Sequence, residues 1–118
     1  MSAISSDAMR GYIDLIILRV LCDGDSYGYA ISKKVTDISG DTYTMKETTL
    51  YSAFSRLEKL GYVRSYPGSY SGGRERTYYA LTKEGLAYYN HKCDEWLAIQ
   101  ALIPKFIKHE GDNENGSN

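Results

Sequence analysis

The chain has 118 residues, with 14 lysines and arginines against 15 aspartates and glutamates, a net charge of −1. That length suits one domain, and the balanced charge excludes a globally basic nucleic-acid binder, so any such surface has to be local. No apolar run reaches the roughly 18 residues of a membrane span, and no basic leader precedes a cleavable apolar core, so the expectation is a cytoplasmic protein with no membrane partner.

A first helix is expected over residues 7–22. Ile13, Ile16, Ile17, Val20 and Leu21 follow the i, i+3, i+4, i+7, i+8 pattern, and Asp23-Gly24 supplies a glycine for a left-handed C-terminal turn. Met9, Tyr12, Leu15 and Leu18 make the other side apolar too. A helix apolar nearly all round is buried nearly all round, and a chain this short cannot cover it alone, which implies a partner chain. The second helix begins after Ser26 as N-cap and carries Tyr29, Ala30, Ile31, Val35 and Ile38 before Gly40, with Lys33, Lys34 and Asp37 on its wet side. Residues 41–45 form a β-like connection, a candidate first strand. The third helix covers residues 47–60. Leu50, Ala53, Phe54, Leu57 and Leu60 share its core face, and Thr48, Thr49, Tyr51, Ser52, Ser55, Arg56 and Lys59 the opposite one.

Gly61 stops that helix and a hairpin follows, with strands at residues 63–66 and 76–81 around a tip holding Pro67, Gly68, Gly72 and Gly73. Alternation places Thr77, Tyr79 and Leu81 on one face and Arg74, Arg76 and Tyr78 on the other; Tyr79 and Leu81 are assigned to the core. Thr82 with Gly85 opens the last helix, whose apolar register is Leu86, Tyr89, Cys93, Trp96, then Gln100, Ile103 and Ile107. That spacing is a heptad seam, and it wants a helix from elsewhere to pack against. Pro104 predicts a kink or an end near Leu102. The organisation expected is therefore residues 1–82 as a winged helix-turn-helix unit, residues 83–108 as a C-terminal dimerisation helix and residues 109–118 as a disordered acidic tail. The fold class is mainly α with a small β-hairpin.

Enzyme chemistry finds no footing. The histidines are His91 and His109, and no nucleophile–histidine–acid set, phosphate loop or metal spacing can be assembled. His91 and Cys93 are two apart and point in different directions on a helix. No metal or cofactor is expected. Cys22 and Cys93 read as reduced core thiols, with a disulfide as the alternative.

DNA binding has a mechanical basis. Between Lys46 and Lys83 the chain carries seven cations against three anions, enough local charge for phosphate contacts. A helix about 10–12 Å across fits the major groove of B-DNA, and the third helix exposes the short polar groups that reach base edges. Arg74 and Arg76 can grip phosphates beside it. The DNA-binding residues expected are Lys46, Thr48, Thr49, Tyr51, Ser52, Ser55, Arg56, Arg74 and Arg76. Leu86, Tyr89, Cys93, Trp96, Ile103 and Ile107 are expected at a dimer interface. For Trp96 two readings stay open: an aromatic of that interface, or a stacking wall for a flat effector opposite Ala8, Tyr12, Leu15 and Arg19. A winged-helix scaffold that binds proteins and no DNA is the alternative function.

Several motifs together resemble the PadR-type transcriptional regulators. They are the run from Leu15 to Leu21 followed by Gly24, Tyr27-Gly28-Tyr29, Thr49-Leu50-Tyr51, Leu57-Glu58-Lys59-Leu60-Gly61, and the hairpin Gly73-Arg74-Glu75-Arg76-Thr77-Tyr78-Tyr79-Ala80-Leu81-Thr82-Lys83-Glu84-Gly85. The resemblance spans residues 5–108. It implies a winged-helix domain, a homodimer built by the first and last helices, and repression at palindromic double-stranded operators. The single short last helix is similar to that of the multidrug-sensing, LmrR-like branch, in which paired tryptophans hold a flat aromatic drug. That likeness implies a ligand site at Trp96, with Gln100 among its lining positions.

Overall fold

The computed structural model describes residues 4–68 and 75–108. The N-terminal region is two helices with a break between them. Helix α1 (Ser6–Met9) is capped by Ser5, whose hydroxyl accepts from the Ala8 N–H at 3.0 Å, and a 3₁₀ turn (Arg10–Tyr12) leads into α2 (Ile13–Leu21). The expected continuous helix is thus broken where Gly11, a weak helix former, sits one residue before Tyr12 at φ −117°. Ile17 and Leu18, on opposite flanks of the expected stripe, are both fully buried in α2.

The short strand β1 (Ser26–Tyr27) follows directly, then α3 (Gly28–Ile38). This corrects two expectations. The first strand is not at residues 41–45, and Ser26 is not the helix N-cap, because its backbone pairs with Tyr79 in the sheet. Residues 41–45 cannot be a strand because their polar groups are used locally. The Ser39 hydroxyl accepts from the Tyr43 N–H at 3.0 Å and donates to the Thr36 carbonyl at 2.9 Å, and Gly40 and Asp41 both turn the chain at φ 65°. Met45, leaving this loop, is buried in the core.

Helix α4 (Glu47–Lys59) ends in a Schellman-type closure: Gly61 N–H bonds the Glu58 carbonyl at 3.0 Å, and Tyr62 N–H bonds the Leu57 carbonyl at 2.9 Å. Gly61 takes φ 83°, where a side chain would be strained. Because the chain departs from helical register there, Leu60 is left exposed, against its expected place in the core, and Val63 fills the core instead. Strands β2 (Val63–Gly68) and β3 (Arg76–Leu81) pair antiparallel, and the three-stranded sheet runs β1-β3-β2. Phe54 of α4 stacks on Tyr79 of β3 with ring centroids 3.8 Å apart, which joins helix and hairpin at the centre of the core. Leu81 is half-buried against the same cluster.

Helix α5 (Lys83–Leu102) is capped by Thr82, whose hydroxyl accepts from the Gly85 N–H at 2.9 Å and donates to the Gly61 carbonyl at 2.7 Å. A Cβ at Gly85 would press on the Tyr62 carbonyl, so only glycine lets α5 start this close to the hairpin. Tyr88 stacks on Tyr62 at 4.2 Å and completes the anchorage. The helix gives way at Leu102 to a 3₁₀ turn (Ile103–Phe106) containing Pro104. Gly85 is the one residue of α5 that is buried, and every residue from Asp94 to Lys108 is exposed. The thiols are free, but Cys22 is exposed at the C-terminal end of α2 rather than in the core; Cys93 is half-buried.

Candidate nucleic-acid interface

Thr48, Ser52, Ser55 and Lys59 are spaced four, three and four residues apart, so they form one ridge along α4, and all four are exposed. The ridge lies opposite Leu50, Phe54 and Leu57, which are buried. Lys46 at the N-cap is exposed and makes no side-chain capping bond. The flanks of the ridge have other tasks. Tyr51 packs edge-on against Phe54 at 5.6 Å, with its hydroxyl end against Gly28 of α3. Arg56 turns the other way and pairs with Asp14 of α2. The Asp14 side chain is only 16% exposed, and Asp14 also raises the pKa of the Tyr88 phenol, secondary to the effect of burial. Helices α2, α4 and α5 therefore meet around one carboxylate.

On the sheet, Tyr27, Tyr78 and Tyr66 form a row across the three strands, with ring centroids 5.3 Å and 5.8 Å apart. Each end of the row carries a guanidinium: Arg76 lies 4.4 Å over Tyr27 and Arg64 lies 5.4 Å over Tyr66. The Tyr66 hydroxyl donates to Asp25 at 2.5 Å, which raises its pKa and pins β2 to the loop before β1. Ser65 donates to Glu58 at 2.7 Å and ties the same strand to α4. Two side-chain hydrogen bonds thus fasten the hairpin's base, one to α4 and one to the loop before β1. The tip with Gly72, Gly73 and Arg74 lies outside the described residues.

Two clefts border the N-terminal segment. A polar one of about 340 Å³ runs between it and α4, with Ser6, Arg10, Tyr43, Thr48, Ser52 and Arg56 in its walls. An apolar one of about 570 Å³ lies on the other side, bounded by Ile4, Ala8, Met9, Tyr12, Leu15, Ile16, Cys93 and Trp96. The short helix α1 is a wall of both.

The Transcriptional regulator PadR-like family model matches residues 17–91 of this chain. The chain belongs to the PadR-like family. A solved transcriptional regulator from Clostridium thermocellum is 54% identical, covering 90% of this chain and 100% of its own, with a TM-score of 0.82. A PadR family transcription regulator from Clostridium difficile is 36% identical over 82% of this chain and 99% of its own, with a TM-score of 0.70. An uncharacterised protein of Lysinibacillus sphaericus is 38% identical over 105 residues, 89% of this chain and 96% of that one. PadR-like proteins regulate transcription and bind DNA; they are not enzymes. The winged-helix fold agrees with that membership, and among the described residues no helix is long and apolar enough to cross a membrane.

Within this PadR-like frame, the expected DNA residues divide into groups. Thr48, Ser52 and Ser55 stand together on the outward ridge, with Lys46 at its head. Thr49, Arg56 and Tyr51 sit on its flanks, the arginine held by Asp14 and the tyrosine by α3. Of the expected ligand residues, Ala8, Tyr12, Leu15 and Trp96 line the apolar cavity together. Arg19 and Gln100 are not in its walls. Arg19 is nearly two turns beyond Tyr12, with its guanidinium bonded to Asp23 at 3.0 Å, and Gln100 is about one turn past Trp96 on α5. Of the expected dimer residues, Cys93 contributes to the cavity. A hydrogen bond with its thiol raises the pKa of the Tyr89 phenol, and Leu86, Ile103 and Ile107 are exposed. Reading by helical period alone passed over Ser6 and Arg10, which line a cleft with Thr48 and Ser52 of α4. It also left out Tyr29, which shares a cleft with Tyr51 beside the head of α4; the Tyr27-Gly28-Tyr29 motif was the available signal.

Proposed function

We propose that this PadR-like protein is a cytoplasmic, dimeric transcriptional repressor that places α4 in the major groove at a palindromic operator and lays the hairpin on the backbone. The carrying observation is the exposed polar ridge Thr48, Ser52, Ser55 and Lys59, beside a hairpin whose tyrosine row ends in Arg64 and Arg76. Short hydroxyls reach base edges, and guanidinium groups held on aromatic rings meet phosphates with little rotamer freedom left to lose. Support for the dimer is the run of exposed apolar residues along the end of α5 and the 3₁₀ turn after it, with Trp96, Leu97, Ile103 and Phe106 among them. Two ridges related by a two-fold axis read two half-sites, one helical turn or a multiple of it apart.

Binding of a duplex from the protein's own promoter, followed by fluorescence anisotropy, is expected to weaken steeply with salt. Arg76→Ala should weaken it by about tenfold, the worth of one charge-assisted hydrogen bond. An affinity unchanged by that substitution would remove the hairpin from the interface.

We further propose that the apolar cavity takes a flat aromatic effector, stacked on Trp96. Its volume of about 570 Å³ lies within the roughly 300–1,000 Å³ of small-molecule sites. A ligand regulates only if it binds the DNA-competent state differently from the incompetent one, and α1, shared between cavity and polar cleft, supplies a physical route. Titration with planar cationic drugs and with phenolic acids should quench Trp96 fluorescence for one class and loosen the operator complex. Neither signal with either class would leave Trp96 a packing residue.

A further inference from the structure

We infer that the polar cleft between the N-terminal segment and α4 is a seat for a backbone phosphate of the bound DNA, held by Arg10 with the hydroxyls of Ser6 and Thr48. The inference rests on the DNA-binding reading above and adds to it a contact from outside the helix and hairpin.

The walls of the cleft carry the chemistry of an anion site. Ser6, Tyr43, Thr48, Thr49 and Ser52 offer hydroxyl donors and Arg10 and Arg56 offer guanidinium groups; Ile13 and Ala53 complete the walls, and no carboxylate lines them. The two arginines are not equivalent. Arg56 is committed to Asp14, whose side chain is largely withdrawn from solvent. Arg10 pairs with Asp7 at 2.6 Å, one helical turn away, and the two side chains are 77% and 80% exposed. A pair so open to water is screened and weak, so a phosphate can take the guanidinium from it, and an arginine fork matches phosphate oxygens two at a time.

The position of the cleft is what makes the ligand a DNA phosphate. A helix about 10–12 Å across fills a major groove about 12 Å wide, so the residues flanking the helix meet the strands that bound the groove. Thr48 and Ser52 belong both to the outward ridge of α4 and to the cleft wall. A duplex seated on the ridge therefore passes one strand over the cleft mouth, where Arg10 stands. The cleft is open to solvent and has no buried charge of its own, so its grip on a free anion is slight. The duplex brings the phosphate there through its other contacts.

The test compares wild type, Arg10→Ala, Arg10→Lys and Asp7→Asn on the promoter duplex across a salt series. One lost phosphate contact makes the slope of log affinity against log salt shallower by about 0.9 for each protomer bound. Arg10→Ala should show that change and bind about fivefold more weakly near physiological salt for each protomer bound. The melting temperature should be unaltered, because the Arg10 side chain is 77% exposed and its ion pair with Asp7 is open to water. Arg10→Lys should keep the slope and recover part of the affinity, and Asp7→Asn should bind more tightly than wild type by freeing the guanidinium. Operator variants with changed bases should lose affinity by the same factor in wild type and in Arg10→Ala, since a phosphate contact carries no sequence information. A slope and affinity of Arg10→Ala equal to wild type, with Arg76→Ala still impaired, would overturn the phosphate seat alone. Wild type that binds neither promoter nor unrelated duplex at any salt would overturn the DNA-binding reading and this inference with it.

Discussion

Ile103→Glu should yield a folded monomer that binds the operator at least about a hundredfold more weakly, because joining two half-site readers in one dimer raises avidity by roughly 10²–10⁴. Ile103 is 47% exposed and sits outside the core cluster, so the domain itself loses nothing when it changes. The loss falls on the exposed apolar residues at the end of α5 and in the 3₁₀ turn that follows it. Beyond Asp94 that helix touches too little of its own chain to bury any residue, while Leu97, Leu102, Ile103 and Phe106 all stand in solvent. A carboxylate placed at the seam of the proposed dimer must be desolvated without a partner, at a cost of several kcal/mol. Sedimentation equilibrium beside operator anisotropy checks both parts. A variant that remains dimeric with unchanged affinity would show that the two chains meet elsewhere.

Phe54→Ala should destabilise the fold by about 3–5 kcal/mol, the usual result of truncating a buried phenylalanine. The ring is 1% exposed and lies 3.8 Å from Tyr79 at an interplanar angle of 15°, with Tyr51 edge-on at 5.6 Å on another side. Truncation removes the stack that joins α4 to β3 and leaves Tyr79 and Tyr51 facing the vacated space. Total stabilities of single domains are about 5–15 kcal/mol, so a large share of the native population is at stake, and the orientation of ridge relative to hairpin with it. Urea unfolding gives the number. A loss below about 1 kcal/mol would mean that the site collapses freely and that helix and hairpin are not coupled through this ring.

Much of the fold was legible because it is written in short-range patterns. The Leu50, Phe54, Leu57 register marks the inner face of α4 and leaves Thr48, Ser52 and Ser55 outside; Gly61 marks its end; and Thr82 with Gly85 marks the start of α5. Each depends on neighbours within one or two turns, where periodicity and capping chemistry operate directly. The misreadings have a common form. Ser26 has the chemistry of an N-cap, yet β3 takes its backbone as a strand partner. Leu60 continues the apolar register but falls at the closure of the helix, and Val63 takes its place inside.

The candidate site divides along the same line. The amino-acid sequence by itself determined the polar ridge of α4, the alternation of the hairpin and the apolar excess of the first and last helices, since these follow from 3.6- and 2-residue repeats in the chain. Only the tertiary structure decided what the charged and aromatic side chains do. It placed Arg56 on Asp14, Arg76 on Tyr27, Trp96 in one cavity with Ala8 and Leu15, and Arg10 in the cleft beside Thr48. A long polar side chain has several partners within reach and little local preference among them. Its partner is chosen when packing of the apolar core brings distant segments together, and no local repeat encodes that choice.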